Sequence, residues 1–110
     1  APFNRYAELV IGELFYTLYS CYDRGNPVRG LEKKKRAYPT LVSEFCDYLF
    51  KYCDDDFSRE AGWKKQASYR NEKVYGTLEN RQIYARAVLD YIAGMTDRFA
   101  VKCFDELITY

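Results

Sequence analysis

The residues that could do chemistry in this chain are defined first by an absence. There is no histidine among its 110 residues. A zinc site of the Cys/His kind therefore has no imidazole to complete it, and Cys21, Cys46, Cys53 and Cys103 form no Cys-x-x-Cys pair. A nucleophilic cysteine would want the same missing partner to take its proton. Cys46 and Cys53 would lie two turns apart on one helix, about 10 Å, too far for a disulfide. Cys46 falls within the apolar band Phe45, Cys46, Leu49 and Cys53, where cysteine acts as a small hydrophobe. Buried, reduced thiols are predicted. Three adjacent aspartates, Asp54 to Asp56, invite a calcium reading, but consecutive side chains diverge, and an EF-hand loop needs ligands at alternate positions followed by a glutamate. Their more ordinary role is to balance nearby basic charge. Carboxylates and tyrosines suffice for acid–base chemistry in kind, yet no pair is singled out by spacing.

Cations are grouped in two places. Arg24, Arg29, Lys33, Lys34, Lys35 and Arg36 face Glu32 alone, a basic loop that could hold a phosphate, an acidic partner or nucleic acid, or be a solvated linker. Gly25 and Gly30 lack the Gly-Lys-Ser/Thr ending of a phosphate-binding loop. Farther on, Lys64, Lys65, Arg70 and Lys73 alternate with Trp63, Tyr69 and Tyr75, a composition that also suits single-stranded nucleic acid, although no recognisable nucleic-acid motif accompanies it.

The elements that must carry these groups are helical. Phe3 to Tyr22 repeats apolar residues at helical spacing through Ala7, Val10, Ile11, Leu14, Leu18 and Cys21, widened by Tyr6, Tyr16, Tyr19 and Tyr22. Asp23 to Pro27 ends it with turn residues. Pro39 suits the first turn of a second helix running to about Cys53, with Leu41, Val42, Phe45, Leu49, Tyr52 and Cys53 as its apolar face. From Phe57 to Tyr75 the pattern is weak, with Ser58 able to cap a short helix. The last third is the strongest signal: Gly76 breaks the chain, Thr77 can cap, and Ala85, Val88, Leu89, Ile92, Thr96, Phe99, Cys103 and Leu107 recur at helical spacing. A continuous helix from Thr77 to Thr109 would be about 50 Å long, against a radius of gyration of about 13 Å for a domain this size. It must break, with Gly94 the favoured place, or protrude towards another body. On it Asp90, Gly94 and Asp97 share one face, opposite Ile92 and Phe99. That face is either solvated or used for docking.

The fold class is therefore all-α: a single domain over residues 1–110, a small bundle of three main helices with room for a short fourth, and a long C-terminal helix. Apolar residues make up 48% of the chain and aromatics 18%, which argues against disorder. A formal charge of +1 gives no global field towards nucleic acid or membrane. No apolar run is long enough to cross a bilayer, and a cytoplasmic location is expected.

The stretch Asp90-Tyr91-Ile92-Ala93-Gly94-Met95-Thr96-Asp97-Arg98-Phe99-Ala100 resembles the C-terminal signature of bacterial deoxyguanosine-triphosphate triphosphohydrolases, the HD-type dNTP hydrolases. Ala7 to Phe15 resembles the helix opening their phosphohydrolase-associated region, and Tyr38 to Leu49 the helix after it. Asp54 to Gly76 carries no such likeness. The resemblance implies a parent enzyme that cleaves a dNTP to deoxynucleoside and triphosphate with divalent metal held by a His…His-Asp…Asp set. Without histidine this chain lacks that set, which would lie N-terminal to residue 1. The chain is then expected to be a non-catalytic C-terminal piece of such a hydrolase. Its partners would be its own catalytic domain or sister subunits, with the dNTP reached only through the parent.

The resemblance makes the face of Asp90, Gly94 and Asp97 the expected docking or nucleotide-proximal surface, with Arg86 and Arg98 able to pair with carboxylates or approach a phosphate. The alternative is a free-standing module binding nucleic acid or protein through basic, tyrosine-rich surfaces, above all Lys33, Lys34, Lys35 and Arg36.

Overall fold

The computed structural model describes residues 5–22, 27–53 and 74–109. Five helices occur in these stretches: α1 (Arg5–Tyr19), α2 (Pro27–Lys35), α3 (Pro39–Tyr52), α4 (Arg81–Ala93) and α5 (Asp97–Thr109), and the described residues include no strand. The all-α bundle is thus the observed architecture. Helix α1 lies against α4 and α5, α3 lies against the same pair, and α2 packs on α3.

Helix α1 buries Val10, Leu14 and Leu18, a stripe at i, i+4 and i+8, with Cys21 continuing it just past the helix end. Tyr6 and Tyr16 stand out in solvent and do not widen that stripe. The segment expected to be a basic loop is instead largely helix α2. Pro27 suits its first turn, and Lys33, Lys34 and Lys35 fill the last turn, where cations meet the negative end of the helix dipole. Leu31, fully buried, and Val28, half-buried, attach it to the core. Gly30 makes the attachment close: a Cβ there would lie 1.9 Å from the Cys21 carbonyl oxygen. Any side chain would push α2 off the end of α1.

Helix α3 begins at Pro39 as expected and buries Leu41, Val42, Phe45, Cys46, Leu49 and Phe50. Tyr38 at its N-cap makes no side-chain capping bond. The cap comes from α5. The Thr40 amide donates to Glu106 Oε2 at 2.9 Å and the Leu41 amide to Oε1 at 3.0 Å. One carboxylate thereby satisfies two of the free amides of the helix start and sits at the positive end of its dipole.

The long C-terminal helix is not observed. Residues 74–80 form turns, with Gly76 and the buried Leu78 both at φ 56°. The helix start expected at Thr77 is at Asn80, whose Oδ1 accepts from the Ile83 amide at 2.9 Å. The helix ends at Ala93. Gly94 caps it, its amide reaching the Asp90 and Tyr91 carbonyls at 3.2 Å. Thr96 then opens α5, its Oγ1 accepting from the Phe99 amide at 3.1 Å, and Asp97 contributes a negative charge to the first turn. Stop and start signals stand within three residues, so a break replaces the projecting rod. The longest dimension is 41 Å, shorter than the single helix would have been.

The break also rotates the buried face. Val88, Ile92 and Cys103 are buried as expected, but Leu89 is exposed, and Tyr84, Ala87, Tyr91 and Phe104 fill the core beside them. Fully buried Tyr84 satisfies its hydroxyl by donating to the Leu18 carbonyl at 2.5 Å, on the last turn of α1. Arg81 lays its guanidinium over Tyr19 and Tyr22, 5.4 and 5.1 Å from the ring centroids.

Candidate functional site

The most organised polar feature is where α3, the Tyr75 turn and the α4–α5 connection meet. Tyr48 and Tyr52 follow one edge of α3, and Tyr75 is tied to the end of that helix by its amide, which donates to the Tyr52 carbonyl at 3.0 Å. The Tyr75 hydroxyl donates to Asp90 Oδ2 at 2.8 Å and lies 2.6 Å from the Tyr48 hydroxyl. A carboxylate only accepts, so Tyr75 spends its proton on Asp90 and Tyr48 donates to Tyr75. The chain of bonds joins α3, the turn and α4. Arg86 closes the outer end, Nε 3.7 Å from Asp90 Oδ2, an exposed pair worth under about 1 kcal/mol.

The rings hold this arrangement in place. Tyr48 lies 4.8 Å from Tyr52 and 5.4 Å from Tyr91, centroid to centroid, and Tyr91 lies 5.0 Å from Phe45. The Tyr91 hydroxyl donates inward to the Leu41 carbonyl at 3.2 Å. Burial pushes the Tyr75 phenol above its ordinary range, and the bond it donates to Asp90 pushes it further. Burial also raises Tyr48 and Tyr91. All three are neutral phenols at pH 7, so they orient and bind and are not phenolate bases.

Two shallow, open depressions adjoin this framework. One, of about 440 Å³, runs between Glu44, Tyr48 and Tyr91 on one side and Met95, Thr96 and Phe99 on the other. The second, of about 240 Å³, continues along α3 past Asp47, Lys51 and Tyr52.

The expected site residues are distributed around this region. Asp90 and Arg86 are in the bonded chain, Gly94 lines the larger depression, and Asp97 and Arg98 are exposed on the first turn of α5. The single helical face meant to unite Asp90, Gly94 and Asp97 does not exist, because the helix stops between the first and last of them. Tyr48, Tyr75 and Tyr91 were missed as a set. Lys33, Lys34 and Lys35 are at the end of α2 with Arg36 in the following turn, and Lys34 Nζ stands 5.9 Å from the Tyr38 ring centroid. In the second basic segment, Lys64, Lys65, Arg70, Lys73, Trp63 and Tyr69 lie outside the described residues, as do Asp54 to Asp56 and Ser58. Tyr75, read with that segment, is buried and offers no ring face for stacking on a base.

All four cysteines are buried and none is in a disulfide. Burial raises the thiols of Cys21 and Cys103 to about 11 and that of Cys46 to about 12, so they are protonated at neutral pH. The described residues bring together no group of three or more His, Cys, Asp or Glu able to hold a metal ion. No described helix is long and apolar enough to cross a membrane.

Comparison with known proteins bears on this same region. Residues 63–106 match the family described as the phosphohydrolase-associated domain. The match starts inside the segment that showed no likeness on reading the residues, and it does not extend to Ala7–Phe15 or Tyr38–Leu49. A deoxyguanosinetriphosphate triphosphohydrolase-like protein of Rickettsia canadensis (strain McKiel) is 39% identical over 62 residues, 54% of this chain. The chain spans only 14% of that relative. No solved structure matches it. The matched residues supply Tyr75, all of α4 and most of α5, and residues of α3 complete the depressions.

Proposed function

We propose that this chain is the associated domain of a dNTP triphosphohydrolase-like protein, and that it supports a catalytic domain or a sister subunit without performing the chemistry. The observation that carries this reading is the nature of the site formed by the matched segment. Among the described residues it is an open, aromatic surface stiffened by a relay of neutral hydroxyls. Such a surface suits contact with a folded neighbour better than turnover of a triphosphate. The face around the α4–α5 connection, from Asp90 and Arg86 through Gly94 to Asp97 and Arg98, is the docking surface in this reading. The divalent metal and its ligands belong to the neighbour, and the dNTP meets the parent enzyme there.

The test is triphosphate release from dGTP. The 110-residue chain with magnesium or manganese is expected to release none. The protein encoded by the whole reading frame is expected to hydrolyse dGTP, and substitutions at Asp97 and Arg98 are expected to weaken subunit or domain association. Release by the 110-residue chain alone would overturn the non-catalytic assignment.

A further inference from the structure

The larger depression combines an apolar floor with an acidic edge, and that combination selects a partner. Met95 and Phe99, both half-buried, lie on one side, and the Tyr48 and Tyr91 rings on the other. Glu44 stands exposed at the rim, and Asp47 follows one turn later on α3 beside the second depression. The hydroxyl relay adds a constraint that no single residue conveys. Because Tyr48 gives its proton to Tyr75, which gives its own to Asp90, the Tyr48 oxygen has only acceptor capacity left. Ring faces, carboxylates and a hydroxyl limited to accepting all favour the same guest: a cation rich in N–H donors with an apolar stem.

The molecule already uses its tyrosines in this way. Arg81 lies over Tyr19 and Tyr22, and Lys51 Nζ stands 5.3 Å from the Tyr52 ring centroid at the far end of this surface. With Lys51 at the Tyr52 end, an incoming cation is directed to the Glu44, Tyr48 and Tyr91 end.

We infer that this depression receives an arginine side chain presented by the protein surface on which the domain docks. The aliphatic stem lies along Met95 and Phe99, and the planar guanidinium meets the Glu44 carboxylate, the Tyr48 oxygen and a tyrosine face. Arginine suits these contacts better than lysine, because its flat fork can both stack and bond a carboxylate through two N–H groups. This inference rests on the docking reading above and names the partner's anchoring group.

The experiment is a titration of the ¹⁵N-labelled 110-residue chain with N-acetyl-arginine methylamide, followed by amide shifts. The lysine analogue and the neutral citrulline analogue serve as controls. Saturable shifts centred on Tyr48, Tyr91 and Gly94–Thr96 are expected with arginine, weaker ones with lysine and none with citrulline. Glu44→Gln, at an exposed position, should weaken arginine binding about fivefold or more with an unchanged melting curve. Equal shifts from citrulline, indifference to Glu44→Gln, or no saturable shift with arginine would each overturn the inference. The outcomes separate cleanly from those for function. A failed titration removes the arginine and leaves the domain assignment intact, whereas triphosphate release by the chain alone removes the non-catalytic reading whatever the titration gives.

Discussion

Replacing Glu106 with alanine should destabilise the fold far more than its half-exposed position on α5 suggests. Its two carboxylate oxygens accept from the Thr40 and Leu41 amides, and no side chain at Tyr38 is available to take over the cap. Losing a side-chain cap costs about 0.5–2 kcal/mol. Hydrogen bonds to a charged acceptor contribute about 1.5–3 kcal/mol, and a favourable charge at a helix N-terminus about 0.3–1 kcal/mol. These descriptions overlap because they count the same contact, so a loss of about 2–3 kcal/mol is expected. At about 4–8 °C per kcal/mol in a domain of this size, the midpoint should fall by roughly 10–20 °C. Glu106→Gln retains one carbonyl oxygen but turns an amide N–H₂ towards the second donor, so it should lose at least half as much. Asp105→Ala, beside it and exposed, should change stability by less than about 0.5 kcal/mol. Urea denaturation followed by far-UV circular dichroism measures all three, and amide exchange at Thr40 and Leu41 should quicken in the alanine variant. An alanine variant within about 0.5 kcal/mol of the parent, with unchanged exchange, would refute the claim that α5 caps α3.

Two glycines make opposite predictions. Gly30→Ala forces a Cβ against the Cys21 carbonyl and should cost more than about 2 kcal/mol, whereas Gly94→Ala meets its nearest atoms at an ordinary 3.6 Å and should be neutral or stabilising by up to about 1 kcal/mol; thermal denaturation decides both. The buried thiols set an alkaline limit. Their folded-state pKa values of about 11 to 12 lie above the ordinary 9, so the unfolded chain loses these protons first. The stability they contribute is fully present below pH 9 and is lost as pH rises through 11 to 12, which a series of urea melts across that range will show. At pH 7.5 the same thiols should resist iodoacetamide until urea unfolds the chain, as mass spectrometry of the alkylated protein can establish.

Much of the helical content could be read from residue order, for local reasons. Pro39 followed by Leu41, Val42, Phe45 and Leu49 is a helix start and a buried stripe, and α3 has that start and that stripe. Local signals are also present where the observed elements differ from the expected ones. Pro27, Val28 and Leu31 have the spacing of a short amphipathic helix, but the cations around them drew attention to charge and away from the apolar side of α2. Thr96 falls on the apolar stripe by spacing alone, but Thr-Asp after Gly94 is an N-cap followed by first-turn acid. Propensity continues across Gly94, and the capping chemistry on either side of it ends one helix and starts the next.

The candidate site was less accessible. Asp90 and Gly94 were singled out from a motif, yet the groups that give Asp90 its role come from Tyr75 and Tyr48, 15 and 42 residues away in the chain. Their assembly depends on how α4 packs against α3, which no periodicity encodes.

Residue order by itself determined the class of the molecule: apolar spacing and caps act over a few residues, so helices, buried cysteines and the lack of an imidazole-based site follow directly from it. Tertiary structure alone decided that Glu106 caps a helix 66 residues earlier, that Gly30 admits the end of α1, and that two tyrosines and an aspartate form one bonded chain. Those contacts join groups brought within 3 Å only after the helices pack. Their energy depends on distance and desolvation, and neither quantity exists until the fold does.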